Sequence, residues 1–341
     1  MKIGFLENLS NLERLVDIPN SVNVERPGKH SLKRYDLIFS ANYVSPVSNF
    51  LTIKSIQKGV TTILLADGLF EWENAYSNPE VKKYKLNLYN PIMHDYFYCV
   101  GKVEESYFNF LGYNAIQYEP KIFNMNATQI KPPNNSVFLI TTANTPYFNN
   151  YEMDNLIHLI EGVIESLESL NLKYAFRIFD KELIKRLKIQ KSRNFCEGGF
   201  SEALKEFDFI ISTPSSIVVE SMYHQRPVAQ LIYRDSPHIM QSGWAIFNSN
   251  NINKTLQSMI KKDKNRIEFQ NFQVTQYKSD VNIFTETRQS SRNKKLKLLL
   301  DQHLFNMLNS IFNFNFEYFV RNIYSRFKGL KIMKILRRKL K

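Results

Sequence analysis

The residues whose types and order point to chemistry cluster in 207–233, FDFIISTPSSIVVESMYHQRPVAQLIY. An apolar run, 207–211, breaks into Ser212, Thr213, Pro214, Ser215 and Ser216, then resumes as a helical run, 217–224, and a strand, 227–233. A strand, a hydroxyl-rich turn and an immediate helix make an anion site. The first-turn N–H groups and the positive end of the helix dipole both point at the turn. Ser216 is the expected N-cap, and Thr213 and Ser215 add hydroxyl donors for a phosphate. Glu220, one turn in, can accept from ribose hydroxyls. A plain capped helix writes the same pattern, with Glu220 merely favouring its N-terminal end.

A carboxylate follows another apolar run. Ala66-Asp67-Gly68 comes after TTILL and before the aromatic, acidic stretch LFEWENAY. Gly68 frees the turn, while Phe70 and Trp72 offer an apolar wall or a stacking surface for a sugar. Such neighbours would raise the Asp67 pKa toward general-base range. Glu71 is the second candidate base. An Asp-Gly pair is also a common turn dipeptide. After VFLIT, the residues Thr141, Thr142 and Asn144 offer hydroxyls and amides to a phosphate. Arg177 lies inside the apolar run YAFRI and needs a partner there: a carboxylate such as Asp180, or an anionic ligand.

These loops need elements to hold them. Short apolar strands are expected at 2–6, 35–39, 61–66 and 96–100, with helices at 47–58 and 103–111. Residues 119–136 are polar, hold Pro120, Pro132 and Pro133, and read as a linker. Strands then recur at 137–141, 174–178, 207–211 and 227–233. A helix with apolar residues at helical spacing fills 155–170, and a short one fills 201–206. Strands alternating with helices imply parallel βαβ units, whose ligands bind beyond the strand C-termini. The expected domains are 1–125, 135–275 and a helical end, 295–341, after a mobile connection at 278–295.

Apolar residues make up 43% of the 341 and aromatics 13%, enough for two packed cores. Cys99 and Cys196 fit no metal spacing, and the six histidines form no ligand pair, so no metal is expected. No apolar run reaches transmembrane length, and the N-terminus does not read as a signal peptide. Reduced, cytoplasmic conditions are expected. Of the net charge of +13, eight positive residues fall in 326–341, leaving about +5 for the rest, which argues against a nucleic-acid partner. That tail places Leu330, Met333, Leu336 and Leu340 near one helical face, and Lys328, Lys331, Lys334 and Arg338 on another. Such a helix rests on an anionic inner-membrane surface, or is simply a solvated basic end.

The two βαβ halves, the Ser-rich helix start, Glu220 and Arg226-Pro227-Val228 resemble a GT-B glycosyltransferase. Within that fold the chain resembles the bacterial sialyltransferase and polysialyltransferase group, and capsule transferases using Kdo or pseudaminic acid. The resemblance implies a D/E-D/E-G motif, here Ala66-Asp67-Gly68, whose second acid is the general base. It implies a donor-phosphate serine motif, here Ser215-Ser216. The group's His-Pro pair is absent; Arg177 stands near its place, and His94 or His224 are other stand-ins. The implied activity is inverting, metal-independent transfer of a nonulosonic acid from a CMP-sugar to a capsule or lipopolysaccharide glycan, with Gly68, Phe70 and Trp72 on the acceptor side. A transferase using a UDP- or GDP-sugar or CDP-glycerol is the alternative on the same scaffold. A lipid-associated binding protein is the non-enzymatic one.

Overall fold

The structure, a computed structural model, describes residues 1–27, 32–41, 43, 45–82, 87–89, 91–123, 125, 127–143 and 149–285. The expectations for Asn144, the helical end 295–341 and the basic tail 326–341 lie outside the described residues.

Two parallel sheets carry the molecule, as the alternating pattern implies. The first holds β1 (Lys2–Phe5), β2 (Asn23–Glu25), β3 (Leu37–Ser40), β4 (Thr61–Leu65), β5 (Tyr96–Cys99) and β6 (Ala115–Gln117), in the order β2-β1-β3-β4-β5-β6. The second holds β7 (Phe138–Thr141), β8 (Tyr174–Arg177), β9 (Phe209–Ser212), β10 (Val228–Leu231) and β11 (Trp244–Ile246), in the order β11-β10-β9-β7-β8. Nearly every residue of β3, β4, β5, β7, β9 and β10 is buried, which is why these strands read as unbroken apolar runs rather than alternating ones. Helices cover the faces. The longest, Asn150–Ser169, opens with a capping box in which Asn149 and Glu152 satisfy each other's backbone amides. Its start therefore precedes the first apolar residue of the period.

Strand order in the second sheet reverses between β7 and β9, with Thr141 opposite Ser212 at their C-terminal ends. Ligands of open parallel sheets bind at such a switch point. The chain leaves these two strands at Thr142 and Ala143 and at 213–215.

The segment between the sheets is held firmly to the second one. Asp208 accepts the backbone N–H groups of Asn134, Asn135 and Ser136. Arg226, fully buried, donates to the carbonyls of Phe207, Ile130, His224, Lys131 and Leu204 at 2.5–3.1 Å. Burial brings its pKa down to about 10, against the opposing pull of the Asp208 charge, and it is still fully charged at neutral pH. After the second sheet the chain returns to the first. Gln117 donates to the carbonyls of Gln276 and Lys278, and Phe284 stacks on Phe39 at 5.9 Å. Residues 278–285, expected as part of a mobile connection, are thus packed against the first sheet, because Ile283 and Phe284 bury apolar surface there.

Arg226→Met leaves up to five carbonyls without donors, each an unmet buried acceptor. The expected loss is about 3 kcal/mol or more, read by denaturant unfolding. Arg226→Lys restores little of it, because an ammonium cannot reproduce the planar fork. A loss under about 1 kcal/mol contradicts this account of the linker.

Candidate functional site

A pocket of about 150 Å³ lies where the two sheets' C-terminal loops meet. The first domain gives it Gly68, Leu69, Phe70, Glu71 and Asn74; the second gives Ala143, Pro214, Ser215, Ser216 and the loop 237–240. A larger cavity, about 430 Å³, lies between residues 15–17, the interdomain segment and residues 281–284. That one holds none of the expected site residues. The smaller pocket is the candidate because it has what a ligand site needs, buried polar atoms with nothing to bond.

Two such atoms line it. Ser215 Oγ is buried without a partner, and so is His238 Nε2. Thr142 Oγ1, one residue before the pocket-lining Ala143, is a third orphan. The helix here runs Ser216–Tyr223, so its N-cap is Ser215 and not Ser216. The chain enters one residue earlier than the Ser/Thr pattern implied. Ser215 is fully extended and its Oγ does not bond back to the helix. That leaves its hydroxyl, with the first-turn amides, facing the pocket. Thr213 braces the turn instead: its Oγ1 accepts the Ala143 N–H at 2.6 Å and so joins the two loops of the switch point. Thr141, fully buried, donates to the Arg177 carbonyl and is likewise structural.

The first domain's wall departs from expectation. Asp67 is exposed and does not line the pocket, although Gly68 and Leu69 beside it do. Its carboxyl still sits low among protein atoms. Burial raises its pKa, while its own backbone amide and Arg14 oppose the rise. Glu71 is the carboxylate on the wall facing Ser215 and Ser216. Phe70 and Trp72 spend their rings on each other and on neighbours, with Phe70 packed against Tyr107 and Phe108 and Trp72 against Tyr76. Phe70 is 5% exposed, so it is a core residue that shapes the wall, not a stacking platform.

Arg177 needs the same correction. It pairs with neither Asp180 nor an open site: its guanidinium donates to the carbonyls of Phe195, Glu197 and Gly198. Asp180 caps the helix Lys181–Arg186. Arg177 does lower the pKa of buried Glu220, which burial nonetheless lifts to about 7; Ser201 donates to Glu220 Oε1. His94 and His224 are both buried away from the pocket. His94 contacts Thr52 and is depressed to about 3 by burial, and His224 Nδ1 accepts the Ile130 N–H.

Two site residues carry no sequence signal, Arg234 and His238. Both lie in the loop after β10. Arg234 Nη1 meets Glu71 at 2.5 Å across the domain boundary, and its Nη2 meets Glu152 at 3.1 Å. Asn74 donates to the other Glu71 oxygen at 2.6 Å. Burial raises the Glu71 pKa, and Arg234 opposes the rise. Burial, then the Arg234 charge, lowers the His238 pKa, so its imidazole is neutral at pH 7 and its Nε2 can donate or accept. Among the described residues no group of three or more His, Cys, Asp or Glu could hold a metal ion. No helix among them is long and apolar enough to cross a membrane.

No protein-family model matches the chain, and no curated protein matches it in sequence. Solved structures do match its fold. A putative UDP-N-acetylglucosamine 2-epimerase from Listeria monocytogenes aligns at TM-score 0.52 and 14% identity, over 76% of this chain and 78% of that one. The UDP-GlcNAc 2-epimerase from Neisseria meningitidis bound to UDP-GlcNAc aligns at 0.51 and 10%, over 89% and 100%. At these identities the likeness establishes the two-domain GT-B arrangement and nothing finer.

Arg234→Met strands Glu71 and Glu152 without their cation. Removing one partner of a buried ion group costs on the order of 3 kcal/mol. Thermal unfolding of the full chain checks this, and Glu71→Gln, which removes a carboxylate that is partly exposed, is expected to cost less. Equal stability of Arg234→Met and wild type contradicts a buried interdomain ion group.

Proposed function

We propose that the interdomain pocket binds the phosphates of a nucleotide sugar and that the protein transfers the sugar to a glycan acceptor. The observation that carries this is the pair of orphaned polar atoms, Ser215 Oγ and His238 Nε2, at the start of the helix Ser216–Tyr223. Each unmet buried polar atom costs about 1–3 kcal/mol. Phosphate oxygens meet both, together with the helix amides and dipole. Glu220, one turn into the same helix and outside the pocket's lining, has a pKa near neutrality, and a ribose hydroxyl reaching it would share it with Ser201. Glu71 on the facing wall is the carboxylate placed to take a proton from the acceptor, with Asp67 at its margin.

A UDP-sugar is favoured over a CMP-linked nonulosonic acid. Two structures that share the fold at a TM-score above 0.5 are named for UDP-N-acetylglucosamine 2-epimerases. Arg177, which the CMP-sugar reading needs in place of the missing His-Pro pair, is held by three carbonyls. The basic segment 326–341 enters this proposal as a contact with anionic lipid, the setting of lipid-linked glycan acceptors.

Incubation with UDP-, GDP- and CMP-sugars, with and without glycan acceptors, tests the reading. Release of UDP in an acceptor-dependent manner is expected. Release of CMP from a CMP-nonulosonate instead overturns the donor, and epimerised sugar without UDP release overturns transfer. Glu71→Gln is expected to lower turnover ~100-fold with the fold intact, the general-base range; a larger loss in Asp67→Asn than in Glu71→Gln contradicts the assignment. Truncation at residue 325 is expected to abolish salt-sensitive binding to phosphatidylglycerol vesicles.

A further inference from the structure

The pocket wall 68–71 is fastened on two sides. In front, Arg234 holds Glu71. Behind it stands a carboxylate that the site has not used. Glu104, in the helix Lys102–Phe110, is 1% exposed. Its Oε1 accepts the Phe70 N–H at 2.8 Å and its Oε2 accepts the Val100 N–H at 3.2 Å. Among the described residues no cation pairs with it. We propose that Glu104 is a positioning residue of the pocket: it fixes the Phe70 amide, sets how far the wall stands from Ser215 and His238, and moves the wall when it changes protonation. The inference rests on the nucleotide-binding reading only for its consequence in binding, not for the wall's movement.

The chemistry follows from the donor count. An ionised carboxylate takes both amides. A protonated one keeps its carbonyl oxygen as a good acceptor, but its hydroxyl oxygen accepts poorly and carries a proton of its own, so the bond to one of the two amides weakens. The brace between the end of β5 and the wall is then loosened. Burial lifts Glu104 to about 8, against the pull of the two amides, so the change falls in the neutral range. The titratable groups facing Glu104 are Tyr89, Cys99, Tyr118 and Tyr277, and burial pushes all four above their ordinary values, so they stay neutral through this range. Asp67 adjoins Tyr89 and Tyr118 and is also raised; Glu105 is engaged with the Gln117 N–H.

Stability has the opposite pH sense to the brace. Because the folded pKa is raised, the stabilising contribution of Glu104 is full below the ordinary glutamate value of 4.5 and is lost as pH rises through about 8.

Trp72 packs on Phe70 and reports the wall directly. With 5-fluorotryptophan in the full chain, whose two tryptophans are Trp72 and Trp244, the Trp72 fluorine resonance is followed from pH 6 to 10. The expected result is a step with a midpoint near 8 in the wild type and none in Glu104→Gln. UDP affinity is expected to change several-fold across the same step in the wild type only, and the fall in unfolding stability between pH 5 and 9 to be smaller in Glu104→Gln. A pH-independent Trp72 resonance in the wild type overturns the proposal, whether or not the variant folds. So does the same step surviving in Glu104→Gln. A Trp72 step with no UDP binding at any pH supports the role of Glu104 and sinks the nucleotide reading.

Discussion

The cleft exists because an arginine from one domain is neutralised by carboxylates from both. Arg234 joins Glu71 on the first domain to Glu152 on the second, and Glu152 is already committed to capping the helix Asn150–Ser169. The ion group therefore ties the wall 68–71 to the rigid start of a long helix. The wall's distance from Ser215 and His238, and so the pocket's volume, depends on that bridge. A buried guanidinium needs its partners, and each partner here is held by a second bond. The arrangement is specific in geometry even where its net contribution to stability is small.

The parallel sheets explain why the bridge is found where it is. Strand order reverses between β7 and β9, the kind of place beyond the strand C-termini where ligands of open parallel sheets bind. Thr213 reaches across it to the Ala143 amide, and the following residues start a helix with its amides directed outward. Electropositive backbone, two unbonded side-chain atoms and a facing carboxylate then meet in a space of about 150 Å³. Charge stabilisation at such a place comes from fixed dipoles, which need no reorganisation when a phosphate arrives.

Much of the scaffold was legible. Strands buried on both faces are unbroken apolar runs, and eight of the eleven strands β1 to β11 could be placed from them. The short strands β2, β6 and β11 have three residues each and lie at sheet edges, too brief for a pattern. The Ser-rich turn was visible because helix starts have a local chemistry. Arg177, open between a carboxylate and an anionic ligand, and Phe70, open between an apolar wall and a stacking surface, stayed undecided because sequence reveals type but not direction; one bonds three carbonyls of a loop about twenty residues on, the other packs into a ring cluster. Arg234 and His238 had no signal at all. Their meaning depends on Glu71, 163 residues from Arg234, and on Ser215 across the pocket. Pairings at that separation are created by the fold and leave no spacing to recognise.

The central proposal is that Ser215 and His238 bind a phosphate. A crystal structure with UDP bound tests it most directly. The account predicts phosphate oxygens within hydrogen-bond distance of Ser215 Oγ and His238 Nε2, at the start of the helix Ser216–Tyr223. UDP seated instead in the cavity beside residues 15–17 and 281–284, with both atoms still unbonded, would contradict it.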